Sequence, residues 1–167
     1  VVPHTFVLVG GFIDTMFDIP SGIYDFDNGI VNYWGSGDQL FDATTMDDSA
    51  RFLAEVVLDP RAENQTMEFA GEVTSINSIA DTFEQVTART LERRPMGTVD
   101  DLRELIEITK LTAESPMEYA FRQYTWAQLS GRGKLKNLAN TLYPNLQPTG
   151  IREYLEHRFA PNSAEDM

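Results

Sequence analysis

The sequence predicts an α/β fold in which strands and helices alternate at first and helices dominate the second half. Three observations carry this. Val2 to Val9 is a nearly continuous β-branched and aromatic run, as in a parallel-sheet strand covered on both faces. Two extended runs, Ile23 to Phe26 and Ile30 to Trp34, flank Asn28-Gly29, a pair that tolerates the positive φ of a tight hairpin. From Thr45 onward, hydroxyl caps precede apolar residues at i, i+3, i+4 and i+7 spacing, the pattern of amphipathic helices.

The elements follow in order. Gly10-Gly11 ends the first strand, and Phe12, Ile13, Met16 and Phe17 fall at the spacing of a short helix. Gly35-Ser36-Gly37-Asp38 is a turn, and Gln39 to Ala43 a short extended piece. Thr45-Met46-Asp47-Asp48 places a hydroxyl at a cap and carboxylates in the first turn, where the helix dipole favours them. Ala50, Leu53, Ala54 and Val57 continue that helix, which stops before Pro60. Gln65 to Gly71 alternates as a strand with Met67 and Phe69 on one face. A helix spans Ser75 to Thr87, a short strand Thr90 to Met96, and a helix capped by Thr98 runs through Lys110. Ser115-Pro116-Met117-Glu118 is the strongest cap: Ser at N-cap, Pro at N1 and Glu at N3. It opens a helix to Leu129. Leu135 to Leu142 is expected to form a short helix, Thr149 to Phe159 the last one, and the polar residues 160–167 a frayed tail.

Composition narrows the function classes. The 167 residues suit one domain with a core of its own, at 42% hydrophobic and 11% aromatic content. A net charge of −13 repels phosphate backbones and anionic membrane surfaces, so neither nucleic acid nor membrane is an expected partner. No apolar run reaches the roughly 20 residues of a membrane span. Pro3 and His4 interrupt the opening and no basic residue precedes it, so a signal peptide is not expected there. The absence of Cys excludes disulfides and cysteine nucleophiles, and a cytoplasmic location is the expected default. Asn64-Gln65-Thr66 is a glycosylation sequon of the kind that arises by chance.

The candidate chemistry is sparse. Gly35-Ser36-Gly37 starts like a dinucleotide loop but lacks its third glycine, and a surface turn explains it better. Asp25, Asp27 and Asn28 lack the spacing of a calcium loop and belong to the hairpin. Asp47-Asp48 is accounted for by capping, and His4 and His157 have no neighbours that make a metal site. There is no G-x-S-x-G elbow. Tyr119, Phe121, Tyr124 and Trp126 load one helix with aromatics. Residues 119 and 126 share one face, 121 and 124 another, so one face can pack while the other lines a pocket.

Four stretches together point further. They are Pro3-His4-Thr5-Phe6-Val7 with Gly10-Gly11-Phe12; Thr45-Met46-Asp47-Asp48-Ser49-Ala50-Arg51-Phe52; Leu58-Asp59-Pro60-Arg61 with Asn64 and Thr66; and Leu142-Tyr143-Pro144 with Thr149-Gly150-Ile151-Arg152-Glu153-Tyr154-Leu155. In that order they resemble the C-terminal half of the NmrA-like and isoflavone-reductase-like proteins, the atypical short-chain dehydrogenase family. The resemblance implies the C-terminal part of a Rossmann-like NAD(P)-binding fold with a mostly helical substrate lobe, over residues 1–159. It also implies that an N-terminal Rossmann half, absent here, binds NADP(H) through a glycine-rich loop and carries the catalytic lysine. Neither matches any position of this chain, so the catalytic acid–base is expected upstream of Val1, and the chain alone is not expected to bind NADP(H) or to be active.

One functional stretch carries over by resemblance. Gly10, Gly11 and Phe12 stand where the family turn borders the nicotinamide, although a family asparagine often occupies the place of Gly10 and an acidic residue that of Ser36. Open α/β sheets bind ligands outside the carboxyl ends of their strands, and glycines there let a ligand approach the backbone. The other reading is that both glycines only make the turn. Met16, Phe17, Tyr119 and Tyr124 are the expected pocket wall, from their position and apolar character. The implied function is an NAD(P)H-dependent reductase of a small apolar or aromatic carbonyl or enone-like substrate. The alternative is a non-catalytic redox sensor that binds dinucleotide and protein partners, with which the loss of asparagine at Gly10 is compatible. A first strand with apolar residues on both faces needs neighbours on both sides, so the isolated chain is expected to expose an apolar face and to self-associate.

Overall fold

The computed structural model describes residues 2–18 and 22–159, so the expected tail 160–167 lies outside the described residues. β1 (Phe6–Val9) and β6 (Thr66–Phe69) pair in parallel, with Phe6 opposite Thr66. After Gly10 the chain continues as β2 (Gly11–Phe12) and changes partner, pairing in parallel with β5 (Phe41–Thr44). β5 in turn pairs antiparallel with β7 (Glu72–Thr74). A third sheet joins the hairpin β3 (Tyr24–Asp25) and β4 (Ile30–Trp34) to β8 (Glu92–Gly97), which lies parallel to β4. Asp25 accepts from the Asn28 backbone in the hairpin turn, and Gly29 takes its positive φ of 69°.

Helices α1 (Ile13–Asp18), α2 (Met46–Leu58), α3 (Ile76–Thr87), α4 (Val99–Thr112), α5 (Met117–Leu129) and α6 (Ile151–Phe159) complete the mixed α/β architecture. The cap chemistry forms as the residue types require. Thr45, Ser75 and Thr98 each accept from the backbone N–H three residues on, and Asp101 returns a bond to the Thr98 N–H. At α5 the Glu118 carboxylate accepts from the Ser115 N–H at 2.8 Å, the reciprocal half of the box, and the Ser115 hydroxyl accepts from Met117. Pro116 already has helical angles and its carbonyl accepts from the Ala120 N–H at 3.0 Å, so the helical geometry begins at the proline.

Among the described residues two apolar cores form. The larger one packs α1, α3 and α6 against the β3–β4 hairpin, around Phe17, Phe26, Ile79, Phe83 and Leu155. The smaller one lies between α2 and the β1–β6 pair, where Phe52 stacks on Phe69 and meets the edge of Tyr143. Val7 and Val9 face this second core, whereas Phe6 and Leu8 on the opposite face are 59% and 45% exposed. The first strand is therefore covered on one face, not on both: its sequence suits a deeper burial than this chain supplies.

Two further expectations differ. Leu135 to Leu142 is not a helix apart from a short 3-10 turn at Asn140–Leu142, because its backbone is taken up by β6: Glu68 accepts from the Lys136 and Asn137 N–H groups and from Ala139. The strand β7 was not expected; its three residues are too few to show alternation. No helix among the described residues is long and apolar enough to cross a membrane.

Candidate functional site

The turn that follows β1 is enclosed closely. Gly10 donates its N–H to the Phe69 carbonyl at 2.9 Å, and its Cα faces the backbone of β5. A Cβ at residue 10 would sit 2.9 Å from both the carbonyl carbon and the oxygen of Asp42, so only glycine fits. At Gly11 the neighbour is different. A Cβ there would collide with the side-chain amide of Gln128 from α5, whose Cδ lies 3.3 Å away. Phe12 is half-buried, and its carbonyl accepts from the Thr15 hydroxyl at the start of α1.

The end of α5 is fixed to this turn by a charged pair. Asp42 is buried, accepts the Leu135 N–H at 2.7 Å and pairs with the Lys134 ammonium. Gly133 donates back to the Ala127 carbonyl at 2.8 Å, and Thr125 and Leu129 are buried. The helix can therefore neither roll nor slide without breaking the Asp42 contacts.

Four residues of α5, Met117, Phe121, Tyr124 and Gln128, recur at i, i+4, i+7 and i+11 and share one face. Met117 and Tyr124 are 61% and 70% exposed, and the stripe runs about 16 Å along the helix to Gln128 at Gly11. The opposite face packs on α4: Tyr119 lies under Lys110, and Trp126 between Arg103 and Arg132. The structure thus separates the residues expected to wall a pocket. Tyr124 stands on the open face beside Phe121, and Tyr119 turns to α4. Met16 and Phe17 are 8% and 7% exposed and are packed in the larger core, Phe17 against Tyr24 and Phe26. Sequence reasoning missed Gln128 because it is polar, although its place in the 121–124–128 stripe was the available signal.

A second polar cluster lies on the far side of the smaller core, in a shallow cavity of about 310 Å³ lined by Leu58, Asp59, Arg61, Tyr143 and Leu146. The Arg61 guanidinium and backbone N–H, with help from the Tyr143 hydroxyl, hold the Asp59 carboxyl far below the usual carboxylate range. Burial and the neighbouring carboxylate push the Tyr143 phenol up to about 12. Asp59 is paired with Arg61 and accepts from the Tyr143 hydroxyl at 2.9 Å, so the cluster is a clamp joining the end of α2 to the segment before α6. Because the folded-state value of Asp59 is depressed, its contribution is complete above the unfolded carboxyl value of about 3.9 and is lost as pH falls from there through the lower folded value. Asp59→Asn is expected to flatten the decline of the urea midpoint between about pH 4 and pH 2. An unchanged acid limb would contradict this role.

Among the described residues no group of three or more His, Asp or Glu could hold a metal ion. No protein-family model matches the chain. In sequence it is similar to an NmrA-like family domain-containing oxidoreductase of Gibberella moniliformis, 26% identical over 154 residues, covering 91% of this chain and 48% of that protein. In fold it is similar to isoflavone reductase, with a TM-score of 0.74, 19% identity and coverage of 94% of this chain and 53% of that one. It is similar to the leucoanthocyanidin reductase–NADPH complex from Vitis vinifera, with a TM-score of 0.75, 18% identity and coverage of 93% and 52%. It is likewise similar to AtPrR2 solved with NADP+ and (+)pinoresinol, with a TM-score of 0.74, 20% identity and coverage of 93% and 51%. The chain spans about half the length of these relatives. The resemblance carried by the four sequence stretches stands: this chain is similar in sequence to an NmrA-like oxidoreductase and has the α/β fold of the isoflavone-reductase-like proteins over about half of their length.

Proposed function

We propose that this chain is the substrate-lobe portion of an NAD(P)H-dependent reductase that acts on a small apolar or aromatic carbonyl or enone-like substrate. The observation that carries the reading is the open apolar stripe of α5, which ends at the glycine turn beyond the carboxyl end of β1. That is where an α/β sheet takes its ligands. Gly10, Gly11 and Phe12 border the nicotinamide, and Tyr124 with Phe121 and Met117 offers a flat apolar wall to the substrate. Met16 and Phe17, on the buried face of α1, hold that helix to the larger core. NADP(H), when bound, supplies the hydride. This chain's own residues orient the two partners and exclude water. The acid–base belongs to the N-terminal Rossmann half, which also covers the open Phe6 and Leu8 face; without it the isolated chain self-associates.

A second reading is a dinucleotide redox sensor with protein partners. It is favoured by the engagement of the Lys134 ammonium with Asp42 beside the turn.

Titration with NADPH, followed by nucleotide fluorescence, tests the first reading. The full-length protein is expected to bind saturably, and this chain alone not to bind in the micromolar range. NADPH consumption with a panel of aromatic ketones and enones then separates the two readings. Binding without consumption by any member supports the sensor, and a full-length protein that fails to bind NADPH overturns both.

A further inference from the structure

The structure assigns a role to Gln128: its side-chain amide is a hydrogen-bond donor to the carboxamide oxygen of the nicotinamide at the Gly10–Gly11 turn. This rests on the reductase reading above and deepens it.

The Gln128 amide nitrogen occupies the space that any side chain at residue 11 would fill. The backbone beneath it is anchored on both sides: Thr125 and Leu129 are buried, and Asp42 holds Lys134 and Leu135 just beyond the helix end. Among the described residues the Gln128 amide has no hydrogen-bond partner, so its two N–H donors remain available. Residue 10 itself cannot supply an amide, because the Asp42 backbone leaves no room for a Cβ. A donor needed at this turn must therefore come from another element, and Gln128 is the polar side chain that reaches Gly11. The rest of the α5 stripe is apolar or aromatic through Tyr124, so the polar end and the apolar length of one helix face match a ligand pair with a polar carboxamide beside an apolar substrate.

The test uses the full-length protein and two near-isosteric variants, Gln128→Met and Gln128→Glu, neither of which keeps a neutral amide donor. Two probes are compared: NADPH, and adenosine 2′,5′-bisphosphate, which lacks the nicotinamide. Loss of one hydrogen bond is expected to weaken NADPH by about tenfold in both variants and to change the fluorescence yield of bound nucleotide, with adenosine 2′,5′-bisphosphate affinity unchanged. Equal NADPH affinity in the wild type and both variants overturns the assignment and leaves the reductase reading standing. Equal weakening of both probes overturns it as well, because a structural defect has no preference for the nicotinamide end. A wild-type protein that binds neither probe overturns the reductase reading and this inference with it.

Discussion

Phe83→Ala is expected to lower the unfolding free energy by about 3–5 kcal/mol. Phe83 is fully buried in α3 and stacks on Phe26 with ring centroids 4.4 Å apart. Phe159 meets it edge-on at 5.1 Å, and the Arg89 guanidinium lies over its ring at 5.4 Å. Removing the ring leaves a cavity where the hairpin, α3 and α6 converge. Three elements of different origin must move to close it, so relaxation is incomplete and the cavity cost adds to the lost transfer energy. Urea denaturation measures the effect. Tyr124→Ala, on the 70% exposed face of α5, serves as the contrast and is expected to change stability by no more than about 0.5 kcal/mol. Comparable losses in the two variants would place the core elsewhere.

Gly10→Ala is the second large effect, expected at about 1–3 kcal/mol of destabilisation. The new Cβ would meet the carbonyl carbon and oxygen of Asp42, both at 2.9 Å, and a strand backbone cannot rotate away as a side chain can. The strain must open either the β2–β5 pairing or the Gly10–Phe69 hydrogen bond. Gly11→Ala makes the comparison informative. Its Cβ meets only the flexible amide of Gln128, so the stability cost is expected to stay well below that of Gly10→Ala. Thermal unfolding of the two variants side by side distinguishes them, and equal costs would contradict the placement of Asp42 against the turn. Gly10→Asn, which restores the residue that the family resemblance implies, meets the same backbone and is expected to be no better tolerated than alanine.

Much of the fold was legible because local chemistry and tertiary packing agree. The caps at Thr45 and Thr98 depend on residue types three positions apart and formed as read. The Asn28-Gly29 hairpin depends on a positive φ that few residues tolerate. The 135–142 segment was misread because its apolar spacing looks helical while the Glu68 carboxylate and carbonyl, far away in sequence, capture its N–H groups. Asp48 shows the same limit. Capping explains its place in the first turn of α2, but its other oxygen accepts the Thr149 N–H at 2.7 Å and ties α2 to the entry of α6.

The candidate site divides along the same line. The glycines at 10 and 11, the end of a strand and an aromatic-rich helix are local properties, readable from spacing and side-chain type. Which aromatic points outward is not, since Met16, Phe17, Tyr119 and Tyr124 are alike in apolar character and differ only in what packs against them. The amino-acid order was sufficient for the α/β class, the helix starts and the family resemblance, because these depend on contacts within a few residues. The pairing of Asp42 with Lys134, the approach of Gln128 to Gly11 and the exposure of Tyr124 belong to the folded chain alone. They join residues up to 117 positions apart, and only packing of α5 against β5 brings them within bonding distance.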